Sequence, residues 1–169
     1  MKIRTFLVFS LFFLMSVFVV AQTQTRTQTA KNGGTTKEDF ASIIKDYYAA
    51  WNTLDLDQPA RYYAKDADLV FYDIAPLKYN GWQEYRKGVE NLLKSYKSLK
   101  LVPNNDLKVG RAGKVAWTTL TFHLIGTTND GKTSDLESRH TAIWQKLHGQ
   151  WLIVHEHVSV PIGGTTASQ

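Results

Sequence analysis

The sequence predicts an α+β domain, with helices first and an antiparallel sheet after them, on three observations. Apolar residues recur at helical spacing between Thr36 and Tyr96, they alternate with period two after Pro103, and short turns join the alternating stretches. The first helix is expected to follow Thr36, a capping residue with Asp39 at the third position, and Phe40, Ile43, Ile44, Tyr47, Trp51 and Leu54 mark its apolar face. A short second helix is expected over Gln58 to Ala64, with Pro59 near its start. DLVFYD, Asp68 to Asp73, reads as a short strand ended by IAPLKYNG, and Trp82 to Tyr96 as a third helix. Leu107 to Arg111 and Val115 to Ile125, joined at Ala112-Gly113, form one expected hairpin. Leu136 to Leu147 and Trp151 to Val158, joined at His148-Gly149, form the second.

The late strands are apolar on both faces: Trp151 and Ile153 on one side, Leu152, Val154 and Val158 on the other. A solvated sheet face should be polar, so both sides need cover. Helices supply one cover. A second copy of the chain is the expected cover for the other, giving a homodimer packed through the sheet.

The ends of the chain differ from its middle. Lys2 and Arg4 precede an apolar run from Phe6 to Val20 that closes on Ala21, the pattern of a secretory signal peptide. The run is short for a membrane span, which takes about 20 apolar residues, so no membrane anchor is expected after cleavage. Residues 22–36, QTQTRTQTAKNGGTT, are polar and without period, as is the tail after Ile162. The expected organisation is therefore a leader over residues 1–21, a linker over 22–36, one domain over 37–162 and a tail over 163–169. Export to the periplasm or beyond follows from the leader. Of 169 residues 43% are hydrophobic, enough for a real core, and the chain has no cysteine, so packing and not disulfides must hold it. The formal charge of +5 would fall to +3 on losing Lys2 and Arg4, and the remaining basic residues are scattered. That distribution does not suggest a nucleic-acid partner.

The richest cluster is HEH at 155–157. Strand alternation sends His155 and His157 to one face and Glu156 to the other. Two histidines so spaced can present two imidazoles to one metal, but a third ligand from a neighbouring strand is needed. No metal or other cofactor is expected. Glu156, flanked by valines, requires either a partner or a raised pKa if buried.

Several segments resemble a known family. GWQEYRKGVENLL and ESRHTAIWQKLHGQWLIVHEHVSVP are similar to the SnoaL-like branch of the nuclear-transport-factor-2-like superfamily, with Trp144, Gly149, Trp151, Val154, His155, His157 and Ser159 in its spacing. YYAAWNTLDLDQPARYYAKDADLVFYD resembles the opening of ketosteroid isomerases of the same superfamily. The resemblance implies an NTF2-like cone: a curved antiparallel sheet wrapped around three N-terminal helices, with a pocket in the cone and a sheet-mediated dimer. It also implies which strand faces line the pocket. The pocket arginines of the calmodulin-dependent kinase II association domain match Thr119, Ala142 and Val158, none of them basic. By that match Trp117, Thr119, Thr121 and His123, then His140, Ala142 and Trp144, then Val154, Glu156 and Val158 face the pocket. The isomerase comparison implies Tyr47 in the place of an oxyanion-holding tyrosine and Asp73 near that of a general base, shifted by two residues.

The candidate residues are thus Asp73, Glu156 and Tyr47 for proton chemistry, and Trp51, Trp117, His123, His140 and Trp144 for ligand contact. Three readings stay open: a binder of a small, mostly apolar molecule, an acid/base isomerase or dehydratase, and an assembly module without a site. The binder needs a hollow cone. The enzyme needs in addition a carboxylate within reach of Tyr47 or a histidine. The assembly module needs neither, with Trp117 and Trp144 filling the cone.

Overall fold

The computed structural model describes residues 39–162, so the expected leader, linker, N-terminal boundary and tail lie outside the described residues. The first helix, α1, spans Phe40–Trp51 and is capped one turn later than expected: Asp39, not Thr36, accepts from the Ala41 N–H at 3.0 Å and from Ser42 Oγ at 2.9 Å. It buries Phe40, Ile44, Tyr47, Tyr48 and Trp51. Asn52, at its end, exchanges two hydrogen bonds with the backbone of Leu101 and so pins the helix to the sheet.

Helix α2 is a single turn, Asp57–Ala60. The chain then leaves the helical path because a strand edge offers its backbone better partners. Ile153 N–H donates to Tyr62 O at 2.7 Å and Ala64 N–H to Ile153 O at 2.9 Å. Strand β1 is Val70–Tyr72, β2 is Tyr79–Asn80, and α3 runs Gly81–Leu93. The third helix therefore stops three residues before Tyr96, and Tyr96–Pro103 forms β3, a strand the sequence reading passed over. Its exposed Lys97, Ser98 and Lys100 interrupt the apolar pattern, as is common on an edge strand.

The remaining strands are β4 Lys108–Ala112, β5 Val115–Thr128, β6 Thr133–Leu147 and β7 Gln150–Ser159, close to expectation. The sheet order is β2-β1-β7-β6-β5-β3, with β4 also on β5, and every pairing is antiparallel except β1 with β7. The turn between β6 and β7 has positive φ at both central residues, 49° at His148 and 84° at Gly149, the hairpin geometry that the His-Gly pair suggested. The sheet is curved and unclosed, wrapped against the helices, and the cone fold is as expected.

Strand parity departs from expectation in two places. On β5 the buried residues are Ala116, Thr118, Leu120 and Phe122, so Trp117, Thr119, Thr121 and His123 face away from the helices. The implied alignment is one residue out of phase there, and packing explains the phase. Trp144 fills the inside of the sheet and its indole N–H donates to Thr118 Oγ1 at 3.0 Å, so the inner neighbour on β5 must be small and polar. Trp117 instead lies over Gly110 on the outside, where an added Cβ would come within 2.0 Å of its ring. On β7, Trp144 pairs with Ile153 but Ile143 pairs with His155, leaving Val154 as an extra residue, a β-bulge. The bulge resets the alternation, and Trp151, Ile153 and Glu156 are all buried.

Candidate active site

Lone acids and tyrosines in apolar elements have to find one another, and here they do. Glu156 sits on β7 between Phe71 of β1 and Ala142 of β6, with 1% of its surface exposed. Its carboxylate accepts from Tyr85 Oη at 2.5 Å, from Tyr63 Oη at 2.9 Å to each oxygen, and from Tyr47 Oη at 3.1 Å. The hydroxyls also touch one another, Tyr47 to Tyr63 at 2.8 Å and Tyr63 to Tyr85 at 3.1 Å. Three elements supply them: α1 gives Tyr47, the strand-like stretch after α2 gives Tyr63, and α3 gives Tyr85.

His140, on the inner face of β6, completes the cluster. Its Nε2 lies 3.3 Å from Glu156 Oε2, near enough for electrostatic attraction but without hydrogen-bond alignment. Its Nδ1 lies 3.1 Å from Tyr48 Oη. Burial by itself would raise the Glu156 carboxyl, but the neighbouring His140 and the Tyr85 and Tyr63 hydroxyls outweigh it and hold the group below the ordinary carboxylate value. Burial, and then the Glu156 charge, push Tyr47, Tyr63 and Tyr85 well above the ordinary tyrosine value, so all three are proton donors.

A cavity of about 70 Å³ adjoins this cluster. Its polar lining is Tyr47, Tyr48, Trp51, Asp73, Tyr85, His140 and Glu156, and the rest of the wall is aliphatic apart from Phe122. Asp73 follows Tyr72 at the end of β1, and alternation turns it inward beside Phe71. It borders both the cavity and an open groove of about 630 Å³ formed with Pro76, Lys78 and His157. Desolvation first, and the Glu156 charge second, push its carboxyl up to about 6. Its recorded hydrogen bond is from its own neighbour, Ile74 N–H, at 2.7 Å.

Of the candidates read from sequence, Tyr47, Trp51, Asp73, His140 and Glu156 line this one cavity. Trp144 does not: it is a core residue, in edge contact with Phe40 at 5.8 Å. Trp117 is 47% exposed on the outer face, and His123 pairs there with Asp135 at 2.9 Å. His155 and His157 flank the Tyr72 ring on that outer side at 5.4 and 5.7 Å, and His155 Nδ1–H donates to Val70 O at 2.7 Å. Among the described residues no three histidine or acidic side chains gather as metal ligands. Tyr48, Tyr63 and Tyr85 escaped the sequence reading. The signal was present, since a buried carboxylate needs donors and the apolar elements carry more tyrosines than a core requires.

A curved sheet cupping two helices around a small polar-ended cavity is the architecture of the nuclear-transport-factor-2-like superfamily. Within it the chain belongs to the SnoaL-like domain family, whose model matches residues 41–163. Similar solved structures include an NTF2-like superfamily protein from Salmonella enterica serovar Typhimurium, with 18% identity over 76% of this chain and 91% of that one and a TM-score of 0.67. A proposed calcium/calmodulin dependent protein kinase II association domain from Xanthomonas campestris has 24% identity, covers 72% and 85%, and has a TM-score of 0.62. A proposed scytalone dehydratase from Novosphingobium aromaticivorans has 13% identity, covers 72% and 81%, and has a TM-score of 0.64. These likenesses establish the fold. A search of curated proteins gives no match.

Proposed function

We propose that the chain binds a small, mostly apolar molecule in the cavity between α1, α3 and the sheet. The observation that carries this reading is the hollow itself, walled by Val89, Leu93, Leu99 and Phe122 and ending on a fully satisfied carboxylate. The assembly reading expected Trp117 and Trp144 to fill the cone; Trp144 is buried inside it, whereas Trp117 is outside. At about 70 Å³ the hollow is roughly half the ~150 Å³ that admits benzene, so a steroid-sized body has to extend past Asp73 into the groove. Titration of a panel of small ketones, alcohols and alkenes by protein-observed NMR tests the reading. Shifts confined to cavity residues support it, and a panel that leaves the cavity untouched refutes it.

A second reading, an isomerase or dehydratase, is favoured by Asp73. A carboxyl that titrates near neutrality at the neck of a cavity has the properties of a general base, whereas Glu156 has its oxygens occupied by donors and serves as a fixed charge. Turnover of any carbonyl substrate should fall at least a hundredfold in Asp73→Asn; undiminished turnover excludes the role. Export and a homodimer belong to the same proposal. N-terminal sequencing of protein recovered from the culture medium or periplasm should begin after Ala21.

A further inference from the structure

Charge is unevenly balanced at the cavity. Its wall carries two carboxyl groups, Asp73 and Glu156, and neither lysine nor arginine. Glu156 has its donors, three tyrosine hydroxyls with His140 Nε2 at 3.3 Å. Asp73 lacks them. One of its oxygens accepts from Ile74 N–H at 2.7 Å, and among the described residues the other has neither a hydrogen-bond nor an ion-pair partner. Asp73 and Val158 border both the hollow and the outer groove, so this carboxyl stands at the neck between them. A carboxylate poor in water and close to a second negative charge is stabilised most by a positive group brought against it. On the same wall Trp51, 8% exposed, buries an indole N–H without a partner, a second sign that the hollow is shaped around a guest.

We propose that Asp73 binds the ammonium group of a small alkylamine whose hydrocarbon part lies in the hollow. The proposal rests on the small-molecule reading above and names the class of molecule that the cavity selects. Its walls suit both halves of such a guest. Leu93, Leu99 and Leu101 give the chain apolar surface, while Tyr48, Tyr85 and Phe122 supply aromatic rings, which attract a cation. An ammonium carries three N–H donors. Asp73 takes one, and the open groove leaves the others in contact with water, so the charge is not stripped of its hydration. A carboxylate guest would bring a third acid to a wall that already has two. A guanidinium needs paired acceptors for its planar fork, and Asp73 has one free oxygen. A metal ion lacks ligands, since no three histidine or acidic side chains gather among the described residues. The hollow of about 70 Å³ keeps the enclosed chain short.

Butylamine, 1-butanol and butyrate are similar in length and differ in charge, so they separate the outcomes. Each is titrated into the protein at pH 7 while backbone and indole signals are followed by ¹⁵N NMR and the Asp73 carboxyl by ¹³C NMR. Butylamine should move the signals of cavity residues and bind about tenfold more tightly than butanol. It should also lower the pH at which the Asp73 carboxyl titrates, which butanol should not do. Asp73→Asn should reduce the amine to the affinity of butanol and leave butanol itself unchanged. Equal affinities for amine and alcohol, or amine binding untouched by Asp73→Asn, overturn the ammonium site while the cavity reading stands. Tighter binding of butyrate overturns the choice of a cation. If none of the three moves a cavity signal up to its solubility limit, the ammonium site and the small-molecule reading fall together.

Discussion

Glu156 and Asp73 are two carboxyl groups at one cavity whose pKa values move in opposite directions. Glu156 has tyrosine hydroxyls and His140 around it and keeps its charge in spite of burial; Asp73 has one backbone donor and a negative neighbour. Replacing Glu156 by Gln should cost about 3 kcal/mol of stability, because an amide NH₂ would face hydroxyls that are themselves donors. Urea denaturation at pH 7 measures this loss. The effects of pH differ in sign. The depressed Glu156 contributes stability above the ordinary carboxylate range that disappears as the pH falls through its folded value. Asp73, raised from 3.8 to about 6, binds its proton more tightly when folded, so its burial destabilises the protein progressively as pH rises through that window. Asp73→Asn should accordingly match the wild type below pH ~4 and exceed it by about 2 kcal/mol above pH ~6. Equal stabilities across that range would mean that the Asp73 carboxyl is not desolvated.

At the level of elements, the bulge at Val154 decides what β7 can do. Without the extra residue, strict alternation would send Trp151 and Ile153 to one side and Glu156 to the other, as the sequence suggests. With it, one strand places two large apolar anchors and the acid on the same inner face. Phe40 packs against Trp151 at 5.2 Å and against Trp144, closing the apolar part of the cone, while Glu156 gathers the tyrosines of α1, α3 and the stretch after α2. Deleting Val154 should therefore abolish fixed tertiary packing: near-ultraviolet circular dichroism is expected to collapse while far-ultraviolet signal largely persists. A deletion variant with native near-ultraviolet bands and cooperative unfolding would show that the register tolerates the loss.

Among the described residues, several of the exposed large apolar side chains share one face of the sheet. Val115, Trp117, Ile125 and Ile143 stand on the outer sheet face, and Trp117 pairs directly with Ile143 across β5 and β6. Trp117 and Ile143 keep 47% and 37% of their surface exposed, an unusual state for side chains of that size. The homodimer proposed from sequence would cover this face. Light scattering coupled to size exclusion should report a dimer, and Trp117→Glu combined with Ile143→Glu should give a folded monomer. A wild-type monomer at micromolar concentration would remove the proposal. The Trp117 ring, expected inside the cone, thus becomes the test residue for its exterior.

Hydrophobic period and turn chemistry are local properties. For that reason α1, α3 and both hairpins were legible from residue order, while the inward acid of β7 and membership in a fold with a cone followed from the family resemblance. The edge strand β3 was hidden because its lysines suit an edge but break the alternating pattern. The phase of β5 and the bulge in β7 could not be read, since both of those strands are apolar on each face and local pattern gives no preference. Only the tertiary structure decided them, through Trp144 needing a small Thr118 beneath it and Ile153 pairing with Trp144. The tyrosine cage likewise required the folded chain. Its members lie 16 to 109 residues apart, and only packing brings their hydroxyls to one carboxylate that cannot stay charged without them.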